Sequence, residues 1–239
     1  MTLVSNMLKV SIISGGASGL GYEIAVRLVR NGNNVVLLGR DEEKLEKASI
    51  QLKDTTSGVF VETVKCNIGL ESDIKQLKEY LSEHNMITEY LFNNAGTGLF
   101  TPADKLNSEM IDKVFEANVK GMMLLTSQIL SITPKEEELT IINIMSTSAL
   151  VGRAEETVYC AAKWGARGFT EALRAELKGT KRNVIAVYPG GMKTDFWKIQ
   201  GQNRDISSFM SPALVADKIV NAVILSDKTL VTDITINRR

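Results

Sequence analysis

Cysteine and histidine are almost absent from this chain: Cys66, Cys160 and His84 are their only occurrences among 239 residues. Two distant cysteines outline neither a disulfide framework nor a zinc site, and a lone His makes no metal centre. No metal is expected, and a reducing, cytoplasmic setting is. Net charge is also missing, because 28 acidic residues balance 28 basic ones. Nucleic-acid binders carry a basic excess, so no nucleic-acid partner is expected. No apolar run approaches the roughly 20 residues that span a bilayer. The N-terminus has no basic residue before Lys9 and no secretory h-region, so neither membrane insertion nor export is expected. Proline is scarce, and Pro102, Pro134, Pro189 and Pro212 all fall at element ends or in loops. A hydrophobic content of 44% excludes a disordered chain. The length is ample for one large core.

What the chain does have is alternation. Short β-rich runs at 8–14, 35–38, 59–66, 90–93, 140–144, 183–188 and 230–237 are separated by segments of helical period. Several runs (VVLL, TIINI, VIAVY) are continuously apolar, as strands buried on both faces are. Helices are expected over 19–30, after Asp41, after Ser72, over 108–130, over 157–178 and from Pro212. The pattern predicts an α/β fold with a doubly wound, mostly parallel sheet. No repeat or linker divides it, so residues 1–239 are read as one domain. The acidic run Glu136-Glu137-Glu138 is read as a solvated loop.

The first strand runs into Gly15-x-x-x-Gly19-x-Gly21. Glycines at a strand–helix junction let the backbone approach a pyrophosphate, whose charge the helix N-terminus receives. Gly15 allows the tight turn, Gly19 removes a Cβ near the phosphates, and Gly21 lets helix pack on strand. Asn93-Asn94-Ala95-Gly96 follows the fourth strand, beside the first, where such sheets bind ligands. Alone, either segment could be a simple turn. Tyr159 and Lys163 stand at i and i+4 on one helix face, where a cation pulls a phenol toward its ionised form. Ser146 ends the fifth strand, and Asn118 sits inside a helix, where a buried amide needs a polar partner.

SGGASGLG, NNAG, Asn118, Ser146, YCAAK and PGGMKT together resemble the single-domain branch of the short-chain dehydrogenase/reductase family, over nearly the whole chain and in order. The resemblance implies a three-layer Rossmann fold of seven strands with helices on both faces, binding NAD(H) or NADP(H). It implies interconversion of a carbonyl and a secondary alcohol by hydride transfer. Tyr159 is then the proton donor or base, and Lys163 holds the nicotinamide ribose and lowers the Tyr159 pKa. Ser146 bonds the substrate oxygen, and Asn118 anchors a water in a proton relay. Gly15, Ser18, Gly19, Gly21, Asn67, Asn94, Ala95, Gly96, Pro189 and Gly190 are implied to line the cofactor, with Thr194 on the carboxamide. A homodimer or homotetramer built on the two long helices is also implied. A cofactor-binding but inactive regulator of the same fold is the alternative.

Arg40 carries the cofactor expectation. Gly39 stands where an acidic residue would bind the ribose hydroxyls of NAD, and the guanidinium of Arg40 suits the extra phosphate of NADP. NADP(H) is thus expected over NAD(H), the bland alternative being an Arg40–Glu43 ion pair. Two departures from the family stand out: Asn67 where an Asp often meets the adenine, and Ser18 where many NADP-preferring members have a basic residue. Residues 195–211 are expected to form a mobile lid whose Phe196, Trp197 and Phe209 either line an apolar substrate pocket or pack the lid on the core. Lys198 and Arg204 lie in the same stretch. Arg153 or Lys193 could receive a substrate carboxylate; a neutral ketone or diketone is the competing substrate. The ending VTDITINRR resembles that of NADP-dependent 3-hydroxy acid dehydrogenases of the family.

Overall fold

The seven expected strands form one sheet in the order β3-β2-β1-β4-β5-β6-β7, and every neighbouring pair is parallel. The structure is a computed structural model that describes residues 7–199, 205–224 and 229–239, without the side chains of 198 and 199. The strands are β1 Leu8–Ser14, β2 Val35–Gly39, β3 Val61–Lys65, β4 Met86–Asn93, β5 Leu139–Ile144, β6 Arg182–Pro189 and β7 Asp233–Ile236. The helices are α1 Gly19–Arg30, α2 Glu42–Lys53, α3 Glu71–Glu83, α4 Ser108–Phe115, α5 Gly121–Ile132, α6 Thr157–Glu176, the single turn α7 Phe196–Ile199 and α8 Pro212–Ile224.

Side chains alternate across a strand, and each face of this sheet takes its own helices. Ile13, Leu37 and Phe92 face α1, α2 and α8, meeting Ile24, Leu28, Leu45 and Ile219. Ile12, Val36 and Leu91 face the opposite layer, meeting Leu77 of α3, Leu125 of α5 and Leu173 of α6. This is the doubly wound arrangement expected from the alternation, and the Rossmann fold that the family resemblance implies. Because β2 and β4 flank β1, the chain reverses its winding there and leaves a crevice beyond the C-terminal ends of β1 and β4.

Four local features differ from the sequence reading, each for a physical reason. Strand β4 begins four residues earlier than Tyr90. Its pairing skips from Val10↔Thr88 to Ser11↔Tyr90, so the extra residue Glu89 breaks the alternation that would have revealed it. Helix α3 starts at Glu71 rather than after Ser72, because Asp73 reaches back to accept from Asn67 N–H at 2.8 Å. The long helix expected over 108–130 is interrupted by a π-helical turn, Glu116–Lys120, between α4 and α5. Strand β7 is only four residues long, and Leu230, assigned to it by pattern, is exposed. Asp41 caps α2 as expected, its carboxylate accepting from Lys44 N–H at 3.1 Å. Among the described residues, no helix is long and apolar enough to cross a membrane, and no cluster of His, Cys, Asp and Glu could hold a metal.

Candidate active site

A cleft of about 830 Å³ runs along the C-terminal edge of the sheet, from Arg40 past the glycine turn to Trp197. Its floor is the turn between β1 and α1. Gly15 (φ 65°) and Gly19 (φ 54°) adopt the left-handed conformation that side chains other than glycine strain to reach. Gly21 does not line the cleft. A Cβ there would stand 2.3 Å from the Gly15 carbonyl oxygen, so its bare backbone is what lets α1 start beneath the turn.

Ser14, which sequence reasoning passed over, ties this turn to β4. Its hydroxyl donates to Phe92 O and accepts from Asn94 N–H and Ala95 N–H, both at 3.0 Å. Asn94 completes the clamp, its Nδ2 donating to Ser14 O at 3.0 Å and Gly15 O at 3.3 Å. Asn94 and Ala95 therefore line the cleft while their polar groups hold the turn. Asn93 faces the other way, into a buried ladder. Its Nδ2 donates to Thr126 Oγ1 and Asn143 Oδ1, and Asn143 donates to Thr170 Oγ1, tying β4 and β5 to α5 and α6.

Tyr159 and Lys163 project from α6 into the middle of the cleft, and both are buried. Lys163 Nζ lies 5.7 Å from the centre of the Tyr159 ring and donates to Ile144 O at 3.3 Å. Burial pulls the Lys163 ammonium down to about 8. The Tyr159 phenol is pushed well above its usual range, chiefly by burial. A hydrogen bond with Ser146 opposes that shift, the charges of Glu156 and Cys160 add to it, and Arg153 opposes it. Burial, rather than the Lys163 charge, dominates at Tyr159 and favours the neutral phenol. Ser146 follows β5, and its Oγ accepts from Ser148 N–H at 3.1 Å.

Asn118 sits in the π-helical turn with its Nδ2 donating to Thr97 O (2.7 Å) and Val114 O (2.9 Å). Its Oδ1 is buried without a hydrogen-bond partner, beside Gly96. An orphaned buried acceptor beside a lysine calls for a water or ligand donor. A Cβ on Gly96 would stand 2.6 Å from that oxygen. The bare turn, the bare Gly96 and the buried Tyr–Lys pair fit a dinucleotide laid along the cleft.

A family model for short chain dehydrogenase matches residues 9–205. The protein is a short-chain dehydrogenase/reductase. A sepiapterin reductase of Chlorobaculum tepidum is 26% identical over 236 residues, covering 95% of each chain. The structure of a short-chain dehydrogenase/reductase from Vibrio parahaemolyticus superposes with a TM-score of 0.82 at 32% identity, covering 96% of this chain and 100% of that one. A short-chain dehydrogenase from Sphingobium yanoikuyae, solved with NADPH, superposes with a TM-score of 0.81 at 25% identity, covering 95% and 87%. This short-chain dehydrogenase/reductase is accordingly an NAD(P)-dependent oxidoreductase.

At the end of the dehydrogenase cleft beyond β2 and β3 stand Gly39, Arg40, Lys44 and Asn67. Arg40 is exposed and, among the described residues, makes no ion pair, so the Arg40–Glu43 pairing is not formed. Asn67 uses its Oδ1 to accept from Gly69 N–H at 3.1 Å, which shapes the loop after β3. Ser18 precedes α1 without capping it through its side chain. Pro189, Gly190 and Thr194 line the opposite wall, and Thr194 faces Gly19 across the cleft, with its Cγ2 3.5 Å from the place of a glycine Cβ.

Over Tyr159 lies an aromatic cluster that spacing could not reveal. Phe100 and Phe196 pack on the Tyr159 ring with centroids 6.3 and 5.9 Å away. Trp197 stacks on Phe100 at 5.2 Å and meets Phe209 at 5.2 Å. Phe196, Trp197 and Phe209 thus both line the cleft and pack together over Phe100, the partner that sequence reasoning missed. Residues 191–193 are joined to Met210, Lys193 N–H donating to Met210 O and Met210 N–H to Gly191 O. Arg238 lies over Phe209 and donates to Ser208 Oγ, which brings the C-terminal segment onto residues 208–209. Residues 200–204 of the expected lid lie outside the described residues. Arg204 and the side chain of Lys198 lie outside the described residues. Arg153 lines the cleft with Tyr159, whereas Lys193 borders a separate, smaller depression.

Proposed function

We propose that this protein is an NADP(H)-dependent carbonyl reductase that interconverts a ketone and a secondary alcohol, with Tyr159 as the proton donor. The observation that carries the reading is geometric: the buried Tyr159 lines the cleft together with Ser146, and Lys163 Nζ lies 5.7 Å from the centre of its ring; burial favours its neutral form. A neutral phenol is the form that gives a proton to a nascent alkoxide. The bound nicotinamide supplies the hydride in reduction and takes it up in oxidation. Ser146 and Tyr159 direct two O–H donors at the carbonyl oxygen, stabilising the charge that develops there. Lys163 stands where it can return a proton to Tyr159, and Asn118 Oδ1 is the acceptor for a water that resupplies Lys163. Gly15, Ser18, Gly19, Asn67, Asn94, Ala95, Gly96, Pro189, Gly190 and Thr194 form the cofactor wall, with Gly21 shaping its turn.

Arg40 directs the choice toward NADP(H). Its exposed guanidinium has no competing partner among the described residues, and the Sphingobium neighbour was solved with NADPH. Replacing Arg40 with Ala removes a charge-assisted, two-pronged phosphate contact. The KM for NADPH is expected to rise about 10- to 100-fold, with the KM for NADH within about threefold of its original value. Steady-state kinetics with each cofactor measure this, and a wild-type preference for NADH overturns the assignment.

The described residues act as one domain in which 195–199 and 205–211 belong to a lid over the cleft, and Arg153 is the cation to receive a carboxylate of a keto acid substrate. Assay of a 3-keto acid, its methyl ester, a diketone and a simple ketone with NADPH tests this. Equal kcat/KM for acid and ester excludes the carboxylate contact. The assembly is a homodimer or homotetramer, supported by the exposed large apolar residues Ile111 and Phe115 on α4 and Met123 on α5. Light scattering of the purified protein is expected to give a multiple of 26.2 kDa, and a monomer at micromolar concentration refutes it. Two buried free thiols agree with a reducing, cytoplasmic location, which fractionation tests.

A further inference from the structure

Two polar side chains beside the reacting groups take no part in the chemistry just described. Glu156, which leads into α6, and Ser148, in the short turn after β5, are 4% and 3% exposed. Ser148 Oγ donates to Glu156 Oε2 at 2.9 Å, while Ser148 N–H donates to Ser146 Oγ at 3.1 Å. A carboxylate is buried only where hydrogen bonds and charge hold it, and the N-terminus of the 20-residue α6 favours a negative charge at this point. We propose that Glu156 is a positioning residue for the reaction: its carboxylate fixes Ser148, Ser148 fixes the Ser146 hydroxyl, and its negative charge sits one helical turn before Tyr159.

The first half of the proposal is geometric. The turn Thr147–Ala149 carries the N–H that feeds Ser146, and the side chain at its centre is anchored on the helix that carries Tyr159. The two hydroxyls that meet the substrate oxygen are therefore held to one another across the loop between β5 and α6. A hydroxyl whose oxygen already accepts an N–H is also a stronger donor of its own proton. The second half is electrostatic. The groups that face Tyr159 are Cys160 and Lys163 on its own helix, Glu156 at the N-cap of that helix and Arg153 on the loop before it. The segments packed on it from outside present Phe100 and Phe196, which carry no charge. Glu156 is the carboxylate in that set, and it opposes ionisation of the phenol.

This inference rests on the reading of Tyr159 as the proton donor, and the test separates the two. Glu156→Gln keeps an acceptor for Ser148 and removes the charge; Ser148→Ala keeps the charge and removes the anchor. With NADP+ saturating, the near-ultraviolet absorbance of phenolate is titrated in each variant and corrected by subtracting the Tyr159→Phe titration. Glu156→Gln is expected to lower the Tyr159 midpoint by about one pH unit, with kcat within about threefold for the fastest carbonyl of the panel above. Ser148→Ala is expected to leave the midpoint in place and lower kcat about tenfold. Glu156→Ala shows both effects. A Glu156→Gln midpoint equal to that of the wild type overturns the electrostatic half, and full kcat in Ser148→Ala overturns the positioning half. Should Glu156→Ala fail to fold, the two conservative variants still decide the matter. Wild-type turnover in Tyr159→Phe refutes instead the underlying role of Tyr159.

Discussion

Tyr159→Phe is expected to lower the single-turnover rate of carbonyl reduction by about 10²- to 10⁴-fold, the range a positioned general acid contributes. The ring stays, so the packing on Phe100 and Phe196 stays with it. What goes is one O–H: the proton for the alkoxide, and the partner of Ser146. NADPH binding, followed by quenching of tryptophan fluorescence, should stay within about tenfold, because one hydrogen bond contributes little net affinity. Stopped-flow loss of NADPH absorbance measures the rate, and an unchanged rate refutes the assignment. The wild-type pH profile adds a second check. Burial is the largest influence on Tyr159 and raises it, so the neutral phenol persists through neutral pH. Reduction with NADPH should then show no loss from Tyr159 ionisation between about pH 6 and 8.

Which parts of this were legible in the sequence follows from how local each one is. The glycine turn could be read because three glycines at a strand–helix junction have few other uses. Tyr159 and Lys163 could be read because one helical turn fixes their relation whatever surrounds them. The doubly wound parallel sheet, with its fourth strand beside the first, followed from strand–helix alternation, since parallel crossovers leave few topologies open. What stayed hidden depends on contacts between distant segments. Ser14 looks like an ordinary strand residue until Asn94 and Ala95, 80 and 81 positions away, bond to it. Phe100 becomes part of the site only because Phe196 and Trp197 fold down on it.

The interruption at Glu116–Lys120 was hidden for another reason. A π-helical turn adds a residue without spoiling the apolar run on either side, so the pattern reads as one continuous helix. It places Asn118 with its amide nitrogen spent on two carbonyls and its oxygen left over, next to Gly96. The same holds for Glu156. An acidic residue before a helix usually signals a solvated cap, and only the fold shows that this carboxylate is buried against Ser148.

Gly21→Ala is the substitution expected to do the most damage for its size. A single methyl at this position would sit 2.3 Å from Gly15 O and 2.6 Å from Asn94 Nδ2. Neither contact can be relieved by rotating a flexible side chain. Gly15 O is backbone in the turn itself, and Asn94 Nδ2 is held by Ser14 O and Gly15 O. To make room, the start of α1 must move away from β1, or the turn must open and the Asn94 clamp must break. Overpacking of this kind costs about 1–3 kcal/mol, which for a chain of this size lowers Tm by roughly 2–12 °C. Function should suffer more than stability, because on the proposed function the displaced atoms are those that receive the pyrophosphate. NADPH affinity is expected to fall by more than about 100-fold, by an argument of lost backbone contacts and charge at the helix N-terminus. Gly152→Ala is the matched control: nothing lies within 4 Å of its Cβ, and both affinity and Tm should be unchanged. Fluorescence titration and differential scanning calorimetry on the pair decide the outcome. If Gly21→Ala binds NADPH as tightly as Gly152→Ala does, the turn between β1 and α1 is not what holds the cofactor.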